Sequence, residues 1–347
     1  MRIVVTGGAG FIGSHIVESL VADGHDVCVF DNLSTGNLEN LSNVQSRISF
    51  VRGDILDLNL LQKSMEGADV VSHQAAQLEI FKASDDPLYD LTANTVGTLN
   101  VLKAAKEVGV KKVLNASSAC VYGQHEGASV ESQSLRPNWA YGVSKLAAEN
   151  YGHLFNDYYG VPVVSLRYGI VYGEREWFRR VLTIFIRRAI EKRPLVVFGS
   201  GEQKRDFICV DDVVSLHRTC LYDPRADGNA FNAGSGTAIS VSDLATLVAE
   251  VSFRESGFRP EILNENVSQG AYSALVTYKR RNTAELQSMW LSTEKANKTL
   301  GWAPKTALSD GITREFKWAE SNMSHWVETH RSHVKHSNHE ASKILVV

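Results

Sequence analysis

A glycine-rich turn near the N-terminus constrains the fold of this chain more than any other feature. The segment Thr6-Gly7-Gly8-Ala9-Gly10-Phe11-Ile12-Gly13 follows a β-branched run and opens an amphipathic stretch. Gly7, Gly10 and Gly13 leave room for a tight turn, for close backbone approach to a pyrophosphate and for packing of helix against strand. The free N–H groups and the positive dipole end of the helix would face that anion. The turn therefore predicts a dinucleotide-binding strand–turn–helix unit.

An aspartate at the end of the second predicted strand indicates which dinucleotide binds. Asp31 directly follows the strand-like run Asp26–Phe30. A carboxylate at this place hydrogen-bonds a ribose 2′-OH and repels a 2′-phosphate. NAD is therefore the expected cofactor rather than NADP. The alternative is an α/β fold that binds no cofactor and whose glycines only form turns.

The remainder of the first half alternates short β-branched runs with longer amphipathic stretches. Such alternation is typical of right-handed βαβ crossovers and predicts an α/β protein with a Rossmann-type, doubly wound parallel sheet. Val113-Leu114 and Val161–Leu166 are continuously apolar, as strands buried on both faces should be. The predicted strands are Ile3–Thr6, Asp26–Phe30, Ile48–Arg52, Val70–His73, Val113–Ser117 and Val163–Arg167; the predicted helices are Phe11–Asp23, Leu58–Met65, Leu91–Val108 and Tyr141–Tyr159.

The regular alternation fades after about Arg167, which indicates a second, smaller unit. We expect a Rossmann domain over residues 1–167 and a smaller C-terminal substrate-binding α/β domain, with some return to the first sheet, over residues 168–321. Its predicted elements are a long basic helix over Glu174–Pro194, a strand at Leu195–Phe198 and a helix over Ser240–Ser252. Ser240 with Asp243 three places on resembles a capping box. Residues 322–347 are expected to form a loosely ordered tail, with metal binding by its histidines as the alternative.

Composition excludes several classes of protein. The 347 residues carry a formal net charge of −3, which gives no electrostatic case for nucleic acid or an anionic membrane as the main partner. No apolar run approaches the roughly 18 residues of a membrane span, and no signal-peptide pattern precedes the first strand. The four cysteines are scattered without a CxxC pair or a histidine at metal-ligand spacing, so no metal site is expected. Together these features predict a cytoplasmic protein.

A tyrosine and a lysine four residues apart form the candidate catalytic pair. Tyr141-Gly142-Val143-Ser144-Lys145 lies in a predicted helix, so Tyr141 and Lys145 share one face. An ammonium group and a positive nicotinamide would both lower the pKa of the phenol from about 10 and make it a usable general base. Ser118, at the end of a predicted strand, would hydrogen-bond the sugar hydroxyl and share its proton with Tyr141. The alternative is an ordinary helical pair and a strand-end serine.

The motifs together resemble the NAD-dependent epimerase/dehydratase family of the extended short-chain dehydrogenases/reductases, within it the UDP-glucose 4-epimerase-like group. The resemblance covers about residues 1–320. It is carried by the GGAGFIG turn with its GxxGxxG spacing and by DNLSTG, Gly53-Asp54-Ile55, HQAA, NTVGT, SSACVYG, YGVSK and RDFICVDD. The resemblance implies a nucleotide-sugar substrate, most simply a UDP-sugar, and a homodimer formed through the helices near Leu91–Val108 and Tyr141–Tyr159.

The resemblance also implies site residues. Asp54 would contact the adenine amino group and Ile55 would use its backbone, although Asp54 could instead cap the following helix, as Asp57 could. Phe198 would hold the nucleobase, and Arg205 the diphosphate, unless Arg205 only pairs with Asp206 or Asp211. The expected cofactor-binding residues are Gly7, Gly10, Phe11, Ile12, Gly13, Asp31, Asn32, Ser34, Thr35, Gly36, Asp54, Ile55, Ala75, Asn94, Tyr141 and Lys145. The expected substrate-binding residues are Ser118, Phe198, Arg205 and Arg281.

The residues after Ser118 favour one reaction within the family. Dehydratases that resemble this group carry Asp and Glu where this chain has Ala119 and Cys120. Without those acids, epimerisation through a 4-keto sugar is the expected reaction, with Tyr141 as the base. Catalysis by the Cys120 thiol, in a dehydratase or a C5-modifying enzyme, is the alternative to a small buried side chain. A non-catalytic NAD-binding sensor is a third reading.

Two departures from the family pattern and one basic run bear on the substrate. Ile170 replaces an Asn that helps to hold the diphosphate, and either Arg280 or Arg281 could supply a second diphosphate contact. The basic run Arg175, Arg179 and Arg180 could meet an acidic sugar such as a uronate, although a solvated helix face is the simpler interpretation.

Overall fold

The computed structural model describes residues 1–124, 126–176, 180–265, 288–324 and 326. The strands of these ranges are β1 Arg2–Thr6, β2 Asp26–Asp31, β3 Ile48–Arg52, β4 Val70–His73, β5 Lys112–Ser118, β6 Val163–Tyr168, β7 Ile170–Tyr172, β8 Leu195–Phe198, β9 Lys204–Arg205, β10 Phe207–Cys209, β11 Ala230–Ala233, β12 Ile239–Ser240, β13 Ile262–Glu265 and β14 Ser288–Met289. The helices are α1 Phe11–Ala22, α2 Leu58–Met65, α3 Ile80–Asp85, α4 Pro87–Leu91, α5 Gly97–Val108, α6 Ala140–Tyr159, α7 Val181–Ile190, α8 Val210–Tyr222, α9 Val241–Ser256, α10 Glu294–Leu300 and α11 Leu308–Ser321.

Seven parallel strands form the main sheet, in the order β3-β2-β1-β4-β5-β6-β11. The direction of winding reverses between β1 and β4. In open α/β sheets this switch point leaves a crevice outside the carboxyl ends of the strands, where ligands bind. The predicted Rossmann-type sheet is therefore confirmed, and it places the glycine turn after β1 beside the segment that follows β4.

Alternate side chains of the sheet enter two apolar layers. Ile3 and Val5 belong to the layer that packs with α1 and α8. Val4 and Val71 belong to the layer that packs with α2, α5 and α6. Because both faces are covered, β5 and β6 are buried along their whole length, as their continuous apolar sequence predicted.

The second half contributes small sheets beside the end of the main one. β7 pairs with β10, β8 pairs with β13, and β9 lies between β12 and β14. β11 instead returns to the main sheet and pairs with β6. The two halves thus share one sheet, and the domain boundary at residue 167 stays a proposal.

The predicted helix over Glu174–Pro194 is wrong at its start: residues 174–176 are not helical, and α7 begins at Val181. Gly173 and Arg175 have φ angles of 141° and 70°, which are incompatible with a continuous right-handed helix. The backbone of this stretch is used elsewhere: Trp326 donates its indole N–H to Glu176 O at 2.7 Å. Trp326 is buried, so at least this residue of the predicted tail packs on the core.

The predicted helix over Leu91–Val108 is also interrupted. A π-helical turn at Thr92–Val96 joins α4 to α5. The sequence also predicted capping residues at the starts of two helices. Ser240 caps α9 by accepting from Asp243 N at 3.0 Å, and Asp57, not Asp54, caps α2. None of the helices in the described ranges is long and apolar enough to cross a membrane.

Candidate active site

The glycine turn lies between β1 and α1 at the carboxyl edge of the sheet. Gly7 has a φ of 69°, and a Cβ atom there would lie 2.5 Å from the backbone N of Ala75. A Cβ atom on Gly13 would lie 2.1 Å from Gly7 O. Both positions therefore require glycine, and the backbone forms a narrow cradle between the ends of β1 and β4.

The first turn of α1 supplies hydrogen-bond donors to this cradle. Helix α1 begins after Gly10, which provides no side-chain cap. The N–H groups of Phe11, Ile12 and Gly13 belong to the first turn, where an α-helix offers no carbonyl partner. Free donors at a positive dipole end, with no side chain in the way, fit a dinucleotide pyrophosphate.

Asp31 is held at the end of β2, beside the cradle. Its carboxylate accepts from Ala9 N at 2.9 Å and from Leu33 N at 2.8 Å. Burial raises the pKa of Asp31, and these two hydrogen bonds oppose the shift. A Cβ atom on Gly36 would lie 2.9 Å from Asp31 Oδ1, so the loop after β2 approaches the carboxylate closely. The arrangement fits recognition of a ribose diol.

The loop that carries Asp31 continues to the expected adenine contacts. Asn32 Nδ2 donates to Asp54 Oδ2 at 2.9 Å, and Asn32 Oδ1 accepts from Ser34 N at 2.9 Å. Thr35 follows in the same loop, and Ile55 is buried directly after Asp54. Asn32, Ser34 and Asp54 form one hydrogen-bonded rim, which supports their proposed role around the adenosine.

Asn94 lies in a buried hydrogen-bond network beside the segment that follows β4. Its buried amide accepts from Gln77 N at 2.8 Å and donates to Asp90 Oδ1 at 3.0 Å and Ser144 Oγ at 3.2 Å. The side chain therefore ties the segment after β4 to the π-helical turn and to α6. We infer that Asn94 shapes the cofactor site rather than contacting the dinucleotide through its amide.

Ser118 and Tyr141 come together at the carboxyl end of β5. Ser118 ends that strand, and its Oγ accepts from Cys120 N at 3.2 Å. Tyr141 lies in the first turn of α6 and its phenol interacts with the Ser118 hydroxyl. The approach depends on Gly142, because a Cβ atom there would lie 2.5 Å from Cys120 O. Gly142 was missed in the sequence, although a glycine inside a helix is a signal of close approach.

The electrostatics of Tyr141 differ from expectation. Burial raises the pKa of the phenol, with Cys120 and Asp90 adding to the shift, while Ser118 and Arg180 oppose it. The net shift is upward, opposite to the lowering by Lys145 that the sequence predicted, because burial outweighs Ser118 and Arg180. A positive nicotinamide beside the phenol would favour the phenolate, so the base would be activated once the dinucleotide is bound.

Lys145 is buried within the protein on the same helix. Burial lowers its pKa to about 8, and the charges of Asp90 and Glu149 oppose that shift. Glu149 stays ionised although burial alone would raise its pKa, because hydrogen bonds that include those from Arg167 and Ser117 lower it to about 2. Asp90 and Glu149, neither of them foreseen in the sequence, are the anions that favour the ammonium form.

The expected substrate residues lie in the second half of the chain. Phe198 ends β8, and Arg205 ends β9, with its charge acting on the Cys120 thiol. The two alternative partners of Arg205 are engaged elsewhere: Asp211 pairs with Arg314, and the carboxylate of Asp206 accepts from the Ser235 and Leu291 N–H groups.

Three arginines that were proposed as substrate contacts lie outside the described part of the chain. Arg179, Arg280 and Arg281 fall outside the described residues, so the second diphosphate contact stays a prediction. Ile170 is described and begins β7, directly beyond the end of β6.

Two buried carboxyl groups lie behind the site. Glu176 and Glu315 are buried and act on each other, and Arg180 Nη1 lies 3.6 Å from Glu176 Oε1. Burial raises the pKa of Glu176 to about 7 and raises that of Glu315 well above its usual value. The pair was missed because its members are 139 positions apart in the chain, and no sequence signal joins them.

These raised pKa values predict how stability depends on pH. A carboxyl group whose folded pKa exceeds its unfolded value binds more protons in the folded state, so its contribution is lost as pH rises from about 4.5 through the folded pKa. We expect Glu315→Gln to raise Tm by about 2–4 °C at pH 8.5 and by less at pH 5.5. Calorimetric melting at the two pH values measures this. Glu294→Gln is the control, because the pKa of this exposed carboxyl is lowered by Lys298. A gain that is equal at both pH values would contradict the prediction.

Comparison with known proteins identifies the family. The model of the NAD dependent epimerase/dehydratase family matches residues 3–234. A putative UDP-glucose 4-epimerase of Methanocaldococcus jannaschii is 35% identical over 92% of this chain and 99% of its own length. The chain therefore belongs to the NAD-dependent epimerase/dehydratase family, and NAD is its cofactor, in agreement with the cradle and Asp31.

Solved structures agree with this assignment. UDP-glucose 4-epimerase of Thermotoga maritima with UDP-glucose superposes with a TM-score of 0.82 at 31% identity, covering 93% of this chain and all of that one. The Thermus thermophilus UDP-glucose 4-epimerase complex with NAD gives a TM-score of 0.79 at 33% identity, covering 92% and 98%. Dehydratases are similar too: dTDP-D-glucose 4,6-dehydratase of Mus musculus is 31% identical over 94% of this chain and 90% of its own length.

The position of Asp31 predicts the cofactor preference quantitatively. A second phosphate on the ribose would meet the carboxylate, so we expect NAD to bind at least about tenfold more tightly than NADP, a difference of about 1.4 kcal/mol. Asp31→Ser should reduce the difference in binding free energy between NAD and NADP. Asp26→Ser, at the exposed start of the same strand, is the control and should leave that difference unchanged. Isothermal titration calorimetry measures both. Equal affinities of the unaltered protein for the two dinucleotides would contradict the assignment.

Proposed function

We propose that this chain is an NAD-dependent nucleotide-sugar 4-epimerase, an isomerase that works through a transient 4-keto sugar, and that its substrate is a UDP-sugar. The observation that carries the proposal is the pairing of Ser118 with Tyr141 next to Ala119 and Cys120. The hydroxyl and phenol needed for oxidation at one sugar carbon are present, and the acids of a dehydratase are absent from the two following positions.

The chain's own groups account for the proton steps. Ser118 holds the C4 hydroxyl of the sugar by a hydrogen bond, and Tyr141 as phenolate accepts the proton of that hydroxyl. NAD, held by the glycine cradle and Asp31, would supply reversible hydride transfer at C4, with the return to the opposite face of the 4-keto sugar. Tyr141 then gives the proton back to the C4 oxygen. The sum leaves every atom of the substrate in place and inverts one carbon.

Cys120 supports epimerisation over its alternative. The thiol is buried, and burial raises its pKa, an effect that Ser118, Arg180 and Arg205 only partly oppose. A thiol with a raised pKa stays protonated near neutral pH and is a poor base. Cys120 is therefore assigned as a small buried side chain beside the site.

Product analysis tests the proposal. The purified protein is incubated with UDP-, dTDP-, GDP- and CDP-sugars, and products are identified by NMR. We expect a C4 epimer of a UDP-sugar, and a 4-keto-6-deoxy product would contradict the assignment. Any product excludes the third reading, a sensor without turnover.

Cys120→Ala separates the two enzyme readings. An epimerase uses no thiol, so we expect turnover to stay within about threefold, well below the roughly 10²–10⁴-fold cost of losing a general acid or base. A dehydratase that depended on the thiol would stall after oxidation. Reduced nicotinamide would then accumulate, which absorbance spectroscopy detects.

We also propose that the protein forms a homodimer through the helical segment Leu91–Val108 and α6. Val143, Leu154 and Tyr158 are exposed on α6, and Leu91 and Val96 are exposed at the start of the other segment. An apolar face of this kind on neighbouring helices fits a self-complementary interface. A sedimentation mass of one 38.2 kDa chain would contradict the dimer. The cytoplasmic location expected from the sequence stays a prediction.

A further inference from the structure

Arg180 reaches the catalytic end of the sheet. It directly precedes α7, where its backbone N–H donates to Thr183 Oγ1 at 3.1 Å. Its guanidinium donates to Val171 O on β7 at 3.2 Å. The side chain nevertheless keeps 40% of its surface exposed. Arg180 is thus anchored at two points while its charged end stays accessible.

The charge of Arg180 acts on the reacting groups. It favours the ionised forms of both the Tyr141 phenol and the Cys120 thiol. The half-exposed Arg180 side chain thus combines access to solvent with an electrostatic effect on the reacting groups. The neighbouring Arg175 behaves differently, since it donates to Asn40 O at 2.7 Å and pairs with Glu18.

The protein compensates the charge of Arg180 only in part. Within the described ranges, its ion-pair partner is Glu176, at 3.6 Å. Glu176 shares its buried surroundings with Glu315, and its pKa is raised to about 7, so it is not fully ionised at neutral pH. An anion from the substrate could therefore complete the pairing of the guanidinium.

We propose that Arg180 is a specificity-determining residue that binds a carboxylate on the sugar ring, so that the preferred substrate is a UDP-sugar carrying a uronic acid. The proposal rests on the proposed epimerase function. Tyr141 is assigned to the C4 hydroxyl, and a C6 carboxylate lies only two carbons further along the sugar. A guanidinium and a carboxylate match in shape and form paired, charge-assisted hydrogen bonds. The hydroxymethyl group of a neutral hexose offers no charge.

The test compares UDP-glucuronate with UDP-glucose by kcat/KM. We expect the unaltered protein to prefer UDP-glucuronate at least tenfold. Arg180→Gln should lower the ratio of the two kcat/KM values by roughly 10–100-fold, the scale of a lost charged hydrogen bond. Arg180→Lys keeps the charge but loses the planar guanidinium group. Its ratio of kcat/KM values should therefore lie between those of the unaltered protein and of Arg180→Gln. Arg187→Gln, further along α7 and paired with Glu191, should leave the ratio unchanged.

Several results would overturn the proposal while leaving the epimerase function intact. One is a preference of the unaltered protein for UDP-glucose. Another is an equal loss with both sugars in Arg180→Gln, accompanied by weaker binding of UDP, which would assign Arg180 to the diphosphate. An unchanged ratio in that variant would remove Arg180 from the sugar site. Failure of the unaltered protein to epimerise any sugar nucleotide would instead refute the proposed function itself.

Discussion

Tyr141→Phe is expected to lower kcat by about 10²–10⁴-fold, the usual cost of losing a general base. The substitution removes one oxygen and leaves the ring, whose hydroxyl interacts with Ser118 at the end of β5. The loss should therefore appear in kcat, while binding of NAD and of UDP changes little. Initial rates with the substrate identified by NMR, together with calorimetric titration of both ligands, measure the two quantities.

A matched control lies on the same helix. Tyr151 is exposed on α6, and Tyr151→Phe removes the same oxygen away from the site. It should retain the activity of the unaltered protein. Turnover of Tyr141→Phe near that of the Tyr151→Phe control would refute the assignment of the base and, with it, the proposed mechanism.

Lys145→Met should cause the second-largest loss of activity. Unlike the loss in Tyr141→Phe, this one should depend on pH. Lys145 lies one helical turn from Tyr141 on α6, so removing its charge should raise the pKa of the phenol; a neighbouring charge is worth about one to three pKa units. A base that must ionise then does so at higher pH, so the rate near neutral pH should fall by about 10–10³-fold. The loss should shrink as pH rises, because more of the phenol ionises.

The pH–rate profile tests this reasoning. The acid limb of kcat in Lys145→Met should move to higher pH, whereas Lys103→Met, at an exposed position on α5, should keep the original profile. A uniform loss at every pH would show that Lys145 only supports the fold. The comparison is informative because Lys145 is buried and its ammonium is favoured by Asp90 and Glu149.

The nucleotide-binding half could be predicted closely because its signals are local. The glycine turn, the strand-end Asp31 and the continuous apolar runs each determine the local conformation through residues only a few positions apart. The first six strands and α1, α2 and α6 lie within one or two residues of the predicted bounds. The chemistry of Ser118, Tyr141 and Lys145 also follows from spacing on a strand end and one helix face.

The features that could not be predicted from the sequence depend on contacts between residues far apart in the chain. Residues 174–176 are not helical, and Glu176 contacts Trp326 and Glu315, which lie far along the chain. The π-helical turn is tied by Asn94 to Gln77 and Ser144. The raised pKa of Tyr141 depends on burial that only the assembled site creates. None of these contacts leaves a periodic trace in the sequence.

The return of β11 to the main sheet has a consequence for synthesis of the protein on the ribosome. Strand β6 is complete at residue 168, but its partner on the outer side ends only at Ala233. During elongation, the amide edge of β6 stays without this neighbour until residues 169–233, 65 residues in all, have been added. An uncovered apolar edge is a site of intermolecular pairing. A chain truncated after residue 167 should therefore aggregate rather than yield an isolated nucleotide-binding module.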